Sequence, residues 1–135
     1  MGKGEYPDSP VVAVQVDPSR AGTALLLQLL AGLEEEGVPG RVQITEAPST
    51  ADGQPAAVAM AYEAARSSSL EVGLAMDAGG ALALHHLRAE PDKPIFVAPA
   101  GTVDGLVARA FGVNAARLVK VQPFRLTELD LGRHG

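Results

Sequence analysis

Cysteine is absent from this 135-residue chain, which excludes a disulfide framework and a thiolate metal cluster and points to a reducing compartment, the cytoplasm. Tryptophan is absent as well, and two Tyr and three Phe make up the whole aromatic complement, too few for a platform on which bases or sugars stack. The core must be aliphatic. A basic excess is also lacking: eleven Lys and Arg stand against sixteen Asp and Glu, a formal net charge of −5. That is the opposite of a nucleic-acid binder's footprint. The longest apolar run, Ala24 to Leu33, is broken by Gln28 and falls short of the roughly 20 residues a bilayer span needs. Met1 to Tyr6 has neither the apolar core of a signal peptide nor the hydroxyl residue of a myristoylation signal. These absences predict a cytoplasmic chain with no membrane and no nucleic-acid partner.

The length is that of one domain, large enough to bury roughly two thirds of its unfolded surface. Residues 1–9, rich in Gly, Pro, Asp and Ser, read as a flexible leader, residues 10–125 as a single α/β domain and 126–135 as a flexible tail. Val11 to Val16 is a β-branched run, and Asp17-Pro18-Ser19 follows as turn chemistry with Ser19 as the N-cap candidate. From Arg20 to Glu36 the leucines 26, 29, 30 and 33 share one helical face, stopped by Gly37 and Pro39. Arg41 to Thr45 alternates as an edge strand should. Gln54 to Ser68 is a helix with Pro55 in its first turn, ended by the serines 67 to 69. Glu71 to Met76 and Ala81 to His86 form a hairpin about Asp77-Ala78-Gly79-Gly80, Pro94 to Ala98 is a fifth strand, and Val103 to Val119 is a last helix that Gly112 could kink. The order βαβαβββα, with right-handed crossovers, predicts a three-layer α/β/α fold around a mixed five-stranded sheet in the order 2-1-3-4-5, strand 4 antiparallel.

Motifs of chemistry are scarce. The first strand leads into Val16-Asp17-Pro18-Ser19, without the glycine-rich turn of a dinucleotide fold, and no Walker-type loop occurs. Gly101 to Gly105 reads as an ordinary loop into a helix. His85 and His86, adjacent on a strand, point to opposite faces and cannot chelate one ion together. The serines lack a nucleophile elbow. No catalytic residue and no cofactor bound by the chain alone is expected. The cations Arg109, Arg117, Lys120 and Arg125 read as the dipole preference of a helix end.

The run Glu34-Glu35-Glu36 is the oddity. Three carboxylates occupy a last helical turn, where the dipole disfavours anions by about 0.3 to 1 kcal/mol each. At about 100° per residue, Glu35 faces away from the leucine stripe, with Glu34 and Glu36 on its flanks. A solvated acidic helix end and a metal- or partner-binding carboxylate are equally compatible with that spacing.

Three stretches carry a resemblance: Ala31-Gly32-Leu33-Glu34-Glu35-Glu36-Gly37-Val38-Pro39, then Ala64-Ala65-Arg66-Ser67-Ser68-Ser69-Leu70-Glu71-Val72-Gly73, then Asn114-Ala115-Ala116-Arg117-Leu118-Val119-Lys120. Together with Pro123-Phe124-Arg125 they resemble the small subunit of the reactivase of adenosylcobalamin-dependent diol or glycerol dehydratases, within the wider family of the dehydratase medium subunit. The stretch from Ala98 to Ala110 departs from that wording. The resemblance implies an anticodon-binding-domain-like fold and a non-catalytic role. It also implies a large ATPase subunit as partner in a hetero-oligomer (α2β2), with ATP or ADP on that subunit, and a client dehydratase carrying adenosylcobalamin. The implied activity is release of damaged cobalamin by subunit exchange. A bacterial microcompartment is compatible with the resemblance. It assigns Glu35 to a Mg2+ site at the subunit contact, with Glu34 and Glu36 beside it as partner-binding residues. The alternative is the medium subunit of the dehydratase itself, which is a longer chain. An RNA-reading module of the same fold conflicts with the charge of −5.

Overall fold

A computed structural model describes residues 10–46 and 53–121. The expected leader and tail, Arg125 and most of the loop after the second strand lie outside them. The sheet has the order β2-β1-β3-β4-β5, from β1 (Val12–Val16), β2 (Gly40–Ile44), β3 (Val72–Met76), β4 (Leu82–His86) and β5 (Phe96–Ala98). Strand β1 lies parallel to both β2 and β3, with Val14 opposite Val42 on one side and Leu74 on the other. Strand β4 runs antiparallel to β3 and β5. The order and the reversed strand are those expected from the alternation of elements. Strand β2 is an edge of the sheet as expected, but Ile44, which the alternation puts with Val42 on the covered face, is 52% exposed: at the end of the edge strand no described helix reaches over it.

The three helices are α1 (Ala24–Glu35), α2 (Ala56–Ser67) and α3 (Gly105–Lys120). The central strands alternate large and small residues, and this alternation decides which helix packs where. Val12, Val14, Val16, Leu74, Met76, Leu82 and Leu84 join Leu29, Leu33 and Phe111 in one aliphatic core under α1 and α3. Ala75, Ala81 and Ala83 meet Ala57, Met60 and Ala61 of α2 in a thinner second core. A Cβ on Gly73 would lie 2.3 Å from both Ala61 O and Ala65 N, so α2 rests its backbone directly on β3.

Helices α1 and α3 pack on each other with the same closeness. A Cβ on Gly112 would fall 2.0 Å from Leu29 O, and one on Gly32 would fall 2.2 Å from Arg109 O. Only hydrogens fit at that crossing. Helix α3 runs unbroken through Gly112, and the close approach of α1 gives this glycine, which could have marked a kink, a packing role.

Several boundaries differ from the sequence reading. Asp17 caps a short 3₁₀ turn, Pro18–Arg20, by accepting from Ser19 N. Ser19 is thus a donor to the cap and not the cap, and α1 starts only at Ala24, where Thr23 Oγ1 accepts from Leu26 N. The proline in the turn fixes a tighter entry than a continuous helix from Arg20 would have. Pro55 is the N-cap of α2 rather than its first helical residue. Ser68 is the C-cap of α2, and its hydroxyl donates to Val11 O at 2.7 Å, which ties the helix end to the entry of β1.

Candidate functional site

Ligands of doubly wound sheets bind beyond the carboxyl ends of the strands, where the chain switches from one face to the other. Here that point lies between the loops that follow β1 and β3. Arg20 spans them: its Nε and Nη2 donate to Ala78 O at 3.1 and 2.8 Å. Asp77, only 6% exposed, accepts from Ala57 N at 3.0 Å with one oxygen and from Ala81 N at 2.9 Å with the other. One carboxylate thus closes the hairpin turn and caps the first turn of α2. Asp17 accepts from both the N–H and the hydroxyl of Ser19, and these bonds hold its carboxyl below the usual aspartate range. The polar groups named at this rim close on backbone or on each other.

The acidic run sits elsewhere, at the end of α1, beside α3. The two helices are parallel: Gly105 lies against Gln28, Gly32 against Arg109, and Glu36 against Arg117 and Lys120. The cations of α3 and the anions of α1 are therefore brought level. Glu34 is exposed. Glu35 keeps 35% of its side chain exposed, and its Oε1 accepts from Arg109 Nε at 3.0 Å. Glu36, at the C-cap, turns inward to 11% exposure. Lys120 Nζ reaches its Oε1 at 2.9 Å and its carbonyl oxygen at 2.9 Å, while Arg117 Nη2 donates to Oε2 at 3.2 Å. The Lys120 hydrogen bond first, and Arg117 after it, hold the Glu36 carboxyl below the usual glutamate range.

The three glutamates, expected with Glu35 outward and Glu34 and Glu36 on its flanks, thus divide into an exposed one, a half-exposed one tied to a guanidinium, and an inward one clamped by two cations. Helical spacing alone placed Glu34 and Glu36 symmetrically. The neighbouring helix breaks that symmetry by covering one flank.

Arg109, Arg117 and Lys120, read as a dipole effect, are partners of the acidic run. The sequence signal was available: Arg109, Arg117 and Lys120 fall within about 80° of one another around α3, at about 100° per residue. What was missing was the parallel pairing of α1 and α3. Asp77 was read only as a turn residue, and its bond to α2 has no local signature. His85 is fully buried beside the Tyr62 ring, its centroid 5.1 Å away. Its Nε2 donates to Pro91 O at 3.0 Å, since a carbonyl oxygen can only accept, and its Nδ1 lies 3.0 Å from His86 N and 3.1 Å from His86 O. His86 is half-buried on the other face, as alternation requires.

Among the described residues, no group of three or more His, Cys, Asp or Glu could hold a metal ion. No described helix is long and apolar enough to cross a membrane. Glu35 can contribute one carboxylate to a hard cation, which commonly takes one or two from a protein and completes its shell with other oxygens.

Comparison with known proteins places the chain in a family. The family described as dehydratase medium subunit covers residues 9–125, and the chain belongs to it. Within that family it is similar to reactivating-factor small subunits. It is 40% identical over 105 residues to the "Probable glycerol dehydratase-reactivating factor small subunit" of Citrobacter freundii, covering 76% of this chain and 82% of that protein. It is 38% identical over 117 residues to the diol dehydratase-reactivating factor small subunit of Klebsiella michiganensis, covering 87% and 85%. A solved structure of diol dehydratase-reactivating factor complexed with ADP and Mg2+ contains a chain that superposes with a TM-score of 0.72 at 38% identity, over 87% of this chain and 98% of that one.

Proposed function

We propose that this chain is the non-catalytic small subunit of a reactivating factor for an adenosylcobalamin-dependent diol or glycerol dehydratase. It pairs with a large subunit that binds and hydrolyses ATP. In complex, it takes the place of the dehydratase medium subunit and so opens the site from which damaged cobalamin leaves. The observation that carries this reading is the match to reactivating-factor small subunits over most of both lengths, 82% and 85% of the two relatives. The fold supports it in one further way: the polar groups named at the rim are engaged in holding loops, while the charged surface of α1 and α3 faces outward. Glu35, with Glu34 and Glu36 beside it, forms part of the contact with the large subunit. When Mg2+ is bound there, Glu35 supplies one oxygen to it and other oxygens complete its shell.

The test is reconstitution. The chain and a reactivating-factor large subunit are mixed with dehydratase inactivated by a damaged cobalamin, together with ATP, Mg2+ and fresh adenosylcobalamin. Recovery of diol turnover that needs both subunits is the expected result. If the chain instead replaces the medium subunit and yields a turning-over dehydratase without reactivation, the alternative assignment holds and this one fails.

A further inference from the structure

Glu35 is not a bare carboxylate waiting for a cation, because Arg109 Nε already lies 3.0 Å from its Oε1. We propose that Arg109 is an internal placeholder: its guanidinium occupies Glu35 in the isolated chain and must yield it to a cation brought by the partner. The inference rests on the reading of Glu35 as a contact residue and adds a competition to it. Three observations support the exchange. Both side chains stay accessible, Arg109 at 43% and Glu35 at 35% exposure, so the bond can be broken without unpacking the core. Arg109 and Glu35 share one Nε–Oε1 bond on the face where α1 and α3 meet, and a pair joined by one bond separates more readily than the Glu36 carboxylate from Lys120 and Arg117 together. The main chain of Arg109 is fixed, since its carbonyl oxygen lies at the Gly32 crossing, so only the side chain needs to swing. An exposed pair of this kind is weak enough to be displaced and strong enough to bias the encounter.

The incoming cation can be a metal ion or a basic side chain of the partner, and the competition is the same for both. The experiment measures affinity for the reactivating-factor large subunit, with Mg2+ and again with the ion chelated. The proteins are the parent chain, Arg109→Gln, Glu35→Gln and the double variant, each checked by thermal melting. Arg109→Met runs alongside as a second removal of charge that keeps an apolar stem. The expected result is that Arg109→Gln binds tighter than the parent by about two- to fivefold, the range that follows from an exposed ion pair. In the Glu35→Gln background the same substitution changes nothing, because the carboxylate it competes for is gone. A gain confined to Mg2+ identifies the incoming cation as the metal; a gain in both buffers identifies a partner side chain. Equal or weaker binding of both Arg109 variants, while Glu35→Gln binds poorly, overturns the competition alone. A gain that persists without Glu35 also overturns it. If Glu35→Gln binds as well as the parent, the contact role of Glu35 falls, and the placeholder with it.

Discussion

The carboxyl-terminal rim of the sheet and the α1/α3 surface both concentrate charged residues, and they use them in opposite ways. At the rim, Asp77 is 6% exposed and both its oxygens accept backbone N–H groups, while the Arg20 guanidinium donates to the Ala78 carbonyl. Charge there replaces missing backbone partners. On α1 and α3 the carboxylates meet side-chain cations, and exposure rises from Glu36 at 11% to Glu35 at 35%. Buried charge bonded to main chain is expensive to disturb, whereas exposed pairs between side chains contribute little to stability. The region that can change partners is therefore the helix surface, although the rim is where ligands bind in many sheets of this architecture. Substitutions should separate the two: rim variants should damage folding and spare binding, and helix-surface variants should do the reverse as exposure rises.

The largest effect is expected at Asp77. Asp77→Ala leaves the Ala57 and Ala81 N–H groups without their acceptor in a buried place, at a cost of about 3 kcal/mol. A drop in melting temperature of roughly 10 °C follows for a domain of this size. Asp77→Asn, which keeps one acceptor oxygen, should lose about half as much. Thermal and urea unfolding measure both. Affinity for the large subunit should be unchanged for the folded fraction. A variant that melts like the parent would mean that the rim carboxylate is not structural, and the contrast between the two regions would fail there.

The strand and helix order was legible because the patterns are local: β-branched runs, leucines at helical spacing, and Gly or Pro at the breaks. Whether a cap is Ser19, Asp17 or Thr23 was not legible, because all three are good caps and the choice depends on how the 3₁₀ turn fits beneath Arg20. The strangeness of the acidic run was visible from the dipole argument, and its direction was correct in part. Its explanation was not visible, because Glu36 meets Lys120 across 84 residues of chain, and no spacing rule reaches that far. Gly112 shows the same limit. A glycine within a helix signals either a bend or a close neighbour, and only the approach of α1 decides for the neighbour.

Glu36 occupies the middle of the scale. Glu36→Gln should cost about 1 kcal/mol at neutral pH, since one partly sheltered carboxylate gives up bonds to two cations. Its pH dependence sharpens the test. The Lys120 and Arg117 bonds depress the folded-state carboxyl below the ordinary glutamate value of 4.5. The stabilisation is therefore fully present above that value and is lost as the pH falls through the lower folded-state one. The difference in unfolding free energy between parent and Glu36→Gln should be flat from pH 7 to about 5 and should shrink steadily on further acidification. A difference that grows in acid has the wrong sign for a depressed carboxyl and would refute the clamp.

The smallest effect on stability is expected at Glu35, where two contributions oppose each other. Replacing it by Gln gives up the pair with Arg109, which for groups exposed at 35% and 43% is about 0.2 to 1 kcal/mol. The same change removes an anion from the last turn of α1, where the helix dipole disfavours it by about 0.3 to 1 kcal/mol. The two nearly cancel, so Glu35→Gln should unfold within about 0.5 kcal/mol of the parent. Glu34→Gln, exposed on the same turn, is the control, because it relieves the dipole without breaking the Arg109 bond. It should be level with the parent or slightly more stable. Salt supplies a further check. Raising it from 10 mM to 1 M shortens the screening length from about 30 to 3 Å, which should bring the parent and both variants together. Denaturant melts at both salt concentrations measure all of this on the isolated chain. A loss of several kcal/mol at Glu35 that survives high salt would place it with Asp77 among the residues that hold the fold, and the helix surface would no longer be the part of the molecule able to exchange partners.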